Sequence, residues 1–150
     1  MAQYFRHIEI IMKGALIGGF LFHALVFLAF SDARSAEPRE IEVVEHTVRI
    51  QNRQFIPHVL RLQVGQTVRL ILKNEDTELH AFVPEALFVR ANVQVSGNGA
   101  PQFGGQGFRR VLLPTLGHTE LVFVPKRAGS YPFFCDLPGH VMNGTVVVEE

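Results

Sequence analysis

The sequence predicts an all-β domain of the sandwich or barrel type, placed after an N-terminal targeting segment. Two observations carry this prediction. Apolar and polar residues alternate with a period of two in several short segments, and turn-forming residues separate those segments. No segment after Phe30 has a convincing helical period. The alternating segments are 44–50, 60–64, 68–72, 121–124 and 146–148.

The first 36 residues are typical of an export signal. Arg6 and Lys13 precede an apolar run at 14–30, and small residues follow that run. The run is slightly long for a signal core and slightly short for a transmembrane helix, so a retained membrane anchor is the alternative. We therefore predict a signal peptide or anchor at 1–36, a domain at 37–150, and a periplasmic or otherwise extracytoplasmic location.

Composition narrows the function further. The chain has 150 residues, which suits one domain, and its 14 Lys and Arg balance 14 Asp and Glu. Because no basic block occurs, nucleic acid is not a predicted partner. The single cysteine, Cys135, excludes an intrachain disulfide. A lone thiol in an oxidising compartment is a liability unless something such as a metal ion binds it.

Two segments depart from the alternating pattern. Segment 96–107 is rich in glycine, which predicts a long loop inserted between strands. Such a loop either only connects its strands or shapes access to a site. A short helix around 84–89 is also compatible with the sequence.

The residues with metal chemistry lie close together near the C-terminus. Cys135, His140 and Met142 fall in one short segment between two predicted strands. Thiolate and thioether are soft donors, and together with imidazole they select copper over hard cations. Two histidines and a cysteine with a weak axial methionine form an electron-transfer copper site. His80, just after segment 68–72, is the best candidate for the second histidine, so we predict one type 1 copper ion.

Four short motifs cover nearly the whole predicted domain. They are Phe55-x-Pro57 to Gly65 with Val68, Asn74-x-Asp76 followed by His80-x-Phe82, Gly129-x-Tyr131-x-Phe133-x-Cys135, and Pro138-Gly139-His140 followed by Met142-x-Gly144. Together they resemble the cupredoxins, the blue copper proteins of the plastocyanin and azurin type. The resemblance implies a Greek-key β-sandwich with His80, Cys135 and His140 as equatorial ligands and Met142 as the weak axial ligand. Only Val141 separates the last two, a shorter spacing than usual in the family.

A second departure concerns the residue after the first histidine. Some cupredoxins have a polar residue there, which fastens the two ligand segments together, whereas this chain has Ala81. Asn74, Thr77 and Asp136 are the candidates for that role. The remaining histidines of the domain, which are not predicted to be ligands, are His46, His58 and His118.

The predicted function is an exported carrier of single electrons between Cu(I) and Cu(II), and not an enzyme. Its partners would be redox proteins such as cytochromes or copper/haem oxidoreductases. One alternative is a red-copper-like enzyme with an open site, whose oxygen ligand would come from Glu75, Glu78 or Glu85. The other is a copper delivery or buffering protein, which the scarcity of methionine disfavours. A dinuclear copper centre is excluded because it needs two thiolates.

Overall fold

The computed structural model describes residues 42–89 and 91–150, and these residues form eleven strands and no helix. The predicted targeting segment at 1–36 lies outside the described residues. Within the described part of the chain, no helix is long and apolar enough to span a membrane. The strands are β1 (Val43–Gln51), β2 (Gln54–Ile56), β3 (Val59–Gln63), β4 (Thr67–Asn74), β5 (His80–Pro84), β6 (Gln94–Gly97), β7 (Ala100–Gly104), β8 (Gly107–Leu113), β9 (His118–Phe123), β10 (Gly129–Phe134) and β11 (Asn143–Glu149).

The strands form two sheets, which confirms the predicted β-sandwich. One sheet has the order β2-β1-β4-β9-β6, and the other has the order β3-β11-β10-β5-β8-β7. β1 is parallel to β4, and β3 is parallel to β11. The chain crosses repeatedly between the sheets, since β3 and β5 belong to one sheet and β2 and β4 to the other. The five alternating segments of the sequence fall on β1, β3, β4, β9 and β11.

The core lies between the inward faces of the two sheets. In β4, Val68, Leu70 and Leu72 are buried while Arg69 and Lys73 are exposed, as a period of two dictates. The rings of Phe55, Phe82 and Phe133 contact one another with centroid distances between 5.0 and 6.3 Å. Each such buried side chain stabilises the fold by about 1.5–3 kcal/mol.

The core also supports the residues with metal chemistry. Phe82 follows His80 by two positions, and Phe133 precedes Cys135 by two positions. Because residues two apart share one face of a strand, the aromatic core continues directly to these two donors. Gly144 packs tightly here, since a Cβ on it would lie 2.3 Å from the Phe133 ring.

The glycine-rich segment was predicted to be a long loop, but in the structure much of it is β-strand. Segment 96–107 contains the end of β6, all of β7 and the first residue of β8. β6 and β7 are edge strands, where glycine and Pro101 are tolerated because one side of the strand needs no partner. The helix considered at 84–89 is also wrong. Residues 85–89 form turns, in which Ala86 has a left-handed φ of 58° that a helix does not allow.

Candidate metal centre

Three segments meet at one end of the sandwich and bring the predicted ligands together. His80 is the first residue of β5, Cys135 directly follows β10, and His140 and Met142 lie in the connection from β10 to β11. β5 and β10 are antiparallel neighbours, so the start of one lies beside the end of the other. The connection turns at Gly139, whose φ of 80° favours glycine.

The donor atoms of three predicted ligands converge. His80 Nδ1 lies 3.2 Å from His140 Nδ1, which lies 3.3 Å from Cys135 Sγ. All three donors fall within 4.8 Å of one another. Zinc, for comparison, binds histidine nitrogen at about 2.0 Å and cysteine sulfur at about 2.3 Å. Three donors at these distances from one ion lie roughly 3.5 Å from one another. The spacing therefore fits one ion bound by all three residues.

The donors are shielded from water to different degrees. The exposed fraction is 0% for His80, 4% for Cys135 and 3% for Met142, whereas the side chain of His140 is 10% exposed.

Backbone hydrogen bonds hold the two sulfur-containing residues. Ala81 N–H donates to Cys135 Sγ at 3.3 Å, and Cys135 N–H donates to the Met142 carbonyl at 3.1 Å. Met142 is thus buried, and its backbone is hydrogen-bonded to that of Cys135.

A carboxylate lies on the opposite edge of the His80 ring. Asp76 Oδ2 is 2.9 Å from His80 Nε2, and the same carboxylate accepts the N–H groups of Asn52 and Arg53. Burial acts to raise the pKa of Asp76, but the hydrogen bonds from Arg53, Asn52 and His80 outweigh it and hold the pKa below its ordinary value. An ionised carboxylate is an acceptor only, so Asp76 can accept an N–H from this edge of the His80 ring.

Glu78 lies on the same side as Asp76. Its carboxylate oxygens are 3.8 Å from His80 Nε2 and 3.7 Å from His140 Nε2. Arg53 donates both Nε–H and Nη2–H to it, which is the leading reason why the pKa of Glu78 is lowered. Asp76, Glu78 and His80 also form a group with metal-ligand spacing. Their oxygens already accept hydrogen bonds from Arg53 and the backbone, which disfavours a second metal there.

The two ligand segments are fastened to β8. The amide of Asn74 donates to the carbonyls of Glu78, Leu113 and Pro114, which joins the segment before His80 to the end of β8. Asp136, next to Cys135, accepts two hydrogen bonds from Arg110 of β8. Arg110 in turn donates to Gln102 of β7, so the glycine-rich region supports the site indirectly. Two of the three predicted candidates therefore fasten ligand segments, although not directly to each other.

The remaining histidines and the alternative oxygen ligands do not join the three donors. His46 is half-buried on β1, and His58 and His118 are exposed. Among the described residues, none of these three histidines belongs to a group with metal-ligand spacing, and neither Glu75 nor Glu85 does. The sequence reasoning missed Arg53 and Arg110, because both act on partners distant in the sequence and no local signal marks them.

Comparisons with known proteins agree with this architecture. The family model of the cupredoxin-like domain matches residues 19–100, so the chain belongs to the cupredoxin-like family. Auracyanin A, described as a "blue" copper protein from the green thermophilic photosynthetic bacterium Chloroflexus aurantiacus, is similar in structure with a TM-score of 0.54. The two are 19% identical over 72% of this chain and 100% of that chain. Auracyanin B has a TM-score of 0.55 and 20% identity over 75% of this chain and 93% of that chain. No curated protein matches the sequence.

Family, fold and donor set point to the same cofactor. His80, Cys135, His140 and Met142 form a group that could hold one type 1 copper ion. Hard cations such as magnesium and calcium prefer oxygen ligands, whereas this group offers sulfur and imidazole nitrogen.

Proposed function

We propose that the protein carries single electrons between redox partners. In this proposal His80, Cys135 and His140 would hold one copper ion as its strong ligands, and Met142 would be the weak fourth ligand. The observation that carries the proposal is the convergence of one thiol and two imidazole nitrogens, with neighbouring donors 3.2 and 3.3 Å apart, in a buried part of the sandwich. When bound, copper supplies the one-electron chemistry by cycling between Cu(I) and Cu(II).

The protein residues hold the donors and exclude water. His80 is fixed by Asp76, and Cys135 is fixed by the N–H of Ala81. Because the sandwich already places the donors together, little rearrangement would accompany a change of charge at the site. Burial of Cys135 and Met142 keeps water from the sulfur side.

His140 is the expected exit for electrons. It is the most exposed of the four donors, and its neighbour Val141 is 92% exposed. Leu79, next to His80 in the chain, is also exposed. Exposed apolar residues commonly mark interaction sites, and redox partners use small, weak interfaces. Cytochromes or copper/haem oxidoreductases outside the cytoplasm are the proposed partners.

The geometry favours the carrier over both alternatives. Glu78 is held by Arg53 at the Nε2 edges of the histidines, so it is not placed as an oxygen ligand beside Nδ1. An open enzymatic site would need such a ligand or a free position. A delivery site would expose its donors for exchange, whereas three of the four donors here are almost fully buried.

The visible spectrum of the copper-loaded protein tests the function. We expect one copper ion per chain and an intense thiolate-to-copper charge-transfer band. Cys135→Ser should abolish this band because Cys135 is the only cysteine, while circular dichroism stays that of a sandwich. His118→Gln is the control, since His118 is exposed and lies outside the site. An intense band that persists in Cys135→Ser would refute the assignment.

Export is a separate part of the proposal. Expression in an exporting host followed by N-terminal sequencing distinguishes a cleaved signal from a retained anchor at 14–30. Intact, soluble cytoplasmic protein that starts at Met1 would contradict both.

A further inference from the structure

We propose that Asp76 is a positioning residue for the metal centre: its carboxylate fixes the tautomer and the ring orientation of His80, so that Nδ1 of His80 faces the other donors. This inference rests on the proposed function and deepens it. It assigns a role to a residue that is not itself a ligand.

The contact between Asp76 and His80 is the first step. His80 is fully buried, and its Nε2 lies 2.9 Å from Asp76 Oδ2. The nearest oxygen of Glu78 is 3.8 Å from the same nitrogen, which is too long for a hydrogen bond. A buried N–H requires an acceptor, so Asp76 favours the tautomer that carries its proton on Nε2. Nδ1 then has a free lone pair at the site where it meets His140 Nδ1 at 3.2 Å.

The second step is that Asp76 is itself held rigidly. A two-residue turn, Asn52–Arg53, joins β1 to β2, and both residues have left-handed φ values of 53° and 55°. Such values are typical of a type I′ hairpin turn. Asn52 N–H donates to Asp76 Oδ1 at 2.7 Å, and Arg53 N–H donates to Oδ2 at 2.9 Å. The orientation of His80 therefore depends, through Asp76, on a hairpin that is distant in the sequence.

These contacts predict an effect on metal binding. Partners that orient a metal-binding histidine typically contribute about 10–100-fold to metal affinity. If Asp76 served only to stabilise the hairpin, its loss would reduce stability without changing the tautomer of His80. The tautomer in the copper-free protein is therefore the discriminating measurement.

Four full-length proteins test the proposal: wild type, Asp76→Ala, Asp76→Asn and Glu75→Gln. Glu75→Gln is the matched control because it removes the neighbouring carboxylate, which is partly exposed and pairs with Arg49 instead of His80. Proton–nitrogen correlation NMR of the copper-free proteins reports which ring nitrogen of His80 carries the proton. Competition with a chelator reports the affinity for Cu(II).

We expect the wild type and Glu75→Gln to hold His80 as the Nε2–H tautomer. Both Asp76 variants should show mixed tautomers and bind Cu(II) about 10–100-fold more weakly. The single amide oxygen of Asn cannot accept from all three N–H groups that face the Asp76 carboxylate. Asp76→Asn therefore tests the proposal by itself if Asp76→Ala fails to fold. Wild-type tautomer and affinity in the Asp76 variants would overturn the proposal. If the Asp76 variants change the tautomer of His80 but the wild type binds no copper, the proposed function is overturned, while the positioning of His80 by Asp76 stands.

Discussion

At the scale of single residues, Met142 is the proposed axial ligand. It is buried, its carbonyl accepts the N–H of Cys135, and a weak axial thioether tunes the redox potential of a copper site. We predict that Met142→Leu, which keeps the volume, retains copper but raises the midpoint potential, because it removes a donor that favours Cu(II).

Protein-film voltammetry of wild type and Met142→Leu measures this change. Val141→Thr is the control, since it alters the exposed neighbour and keeps every donor. If Met142→Leu has the wild-type potential, Met142 only fills space and the axial ligand lies elsewhere.

Whether the sequence could predict a residue's role depended on how far along the chain its partners lie. The grouping of Cys135, His140 and Met142 was visible in the sequence because all three lie in one short connection between strands, and Cys and Met are rare in this chain. His80 required only the additional argument that a third strong donor is needed. The roles of Asp76 and Glu78 were not predictable, because their partners at the β1–β2 turn come from distant positions.

At the scale of elements, β8 anchors both ligand segments. Alternation in the sequence predicted five of the eleven strands in the described part of the chain, since alternation reports burial on one face. β6 and β7 escaped prediction because edge strands are stabilised by backbone pairing and need few apolar side chains. In the hairpin of β7 and β8, Arg110 donates to Gln102 and to Asp136, the residue after Cys135.

We predict that Arg110 and Asp136 couple more strongly than an exposed ion pair. Their side chains are 20% and 24% exposed, and Arg110 contacts both carboxylate oxygens. A double-mutant cycle with Arg110→Met and Asp136→Asn, measured by urea unfolding of the copper-free protein, should give a coupling free energy of about 1 kcal/mol or more.

The pair Arg61–Glu149 provides the control for that cycle. It has a comparable contact of 2.8 Å, but its side chains are 69% and 51% exposed. Its coupling should be about 0–0.5 kcal/mol because water screens both charges. Equal coupling energies for the two pairs would show that Arg110 does not fasten the copper loop.

At the scale of the whole molecule, the two ends of the sandwich lie far apart. The turn after β1 contacts Asp76 at the metal end, whereas β1 begins at Val43, roughly 26 Å away along a strand of this length. The formal net charge of the chain is 0, so the total charge gives no long-range attraction to a charged partner. Local contacts around His140 must then determine how closely a partner approaches.

Electron exchange through the His140 end should therefore depend on the exposed apolar residue beside it. We predict that Val141→Lys slows self-exchange about tenfold, equivalent to ~1.4 kcal/mol, because two facing copies would each bring a desolvated charge into the contact. Leu137→Lys should act in the same direction, although Leu137 is half-buried and its substitution also strains the loop. NMR line broadening of mixed Cu(I) and Cu(II) protein measures the rate, and the visible spectrum checks that the centre is unchanged. Val43→Lys adds the same charge at the opposite end, where Val43 is also exposed, and should leave the rate near that of wild type. Wild-type rates in both loop variants, or equal slowing in Val43→Lys, would exclude the His140 end as the specific exit for electrons.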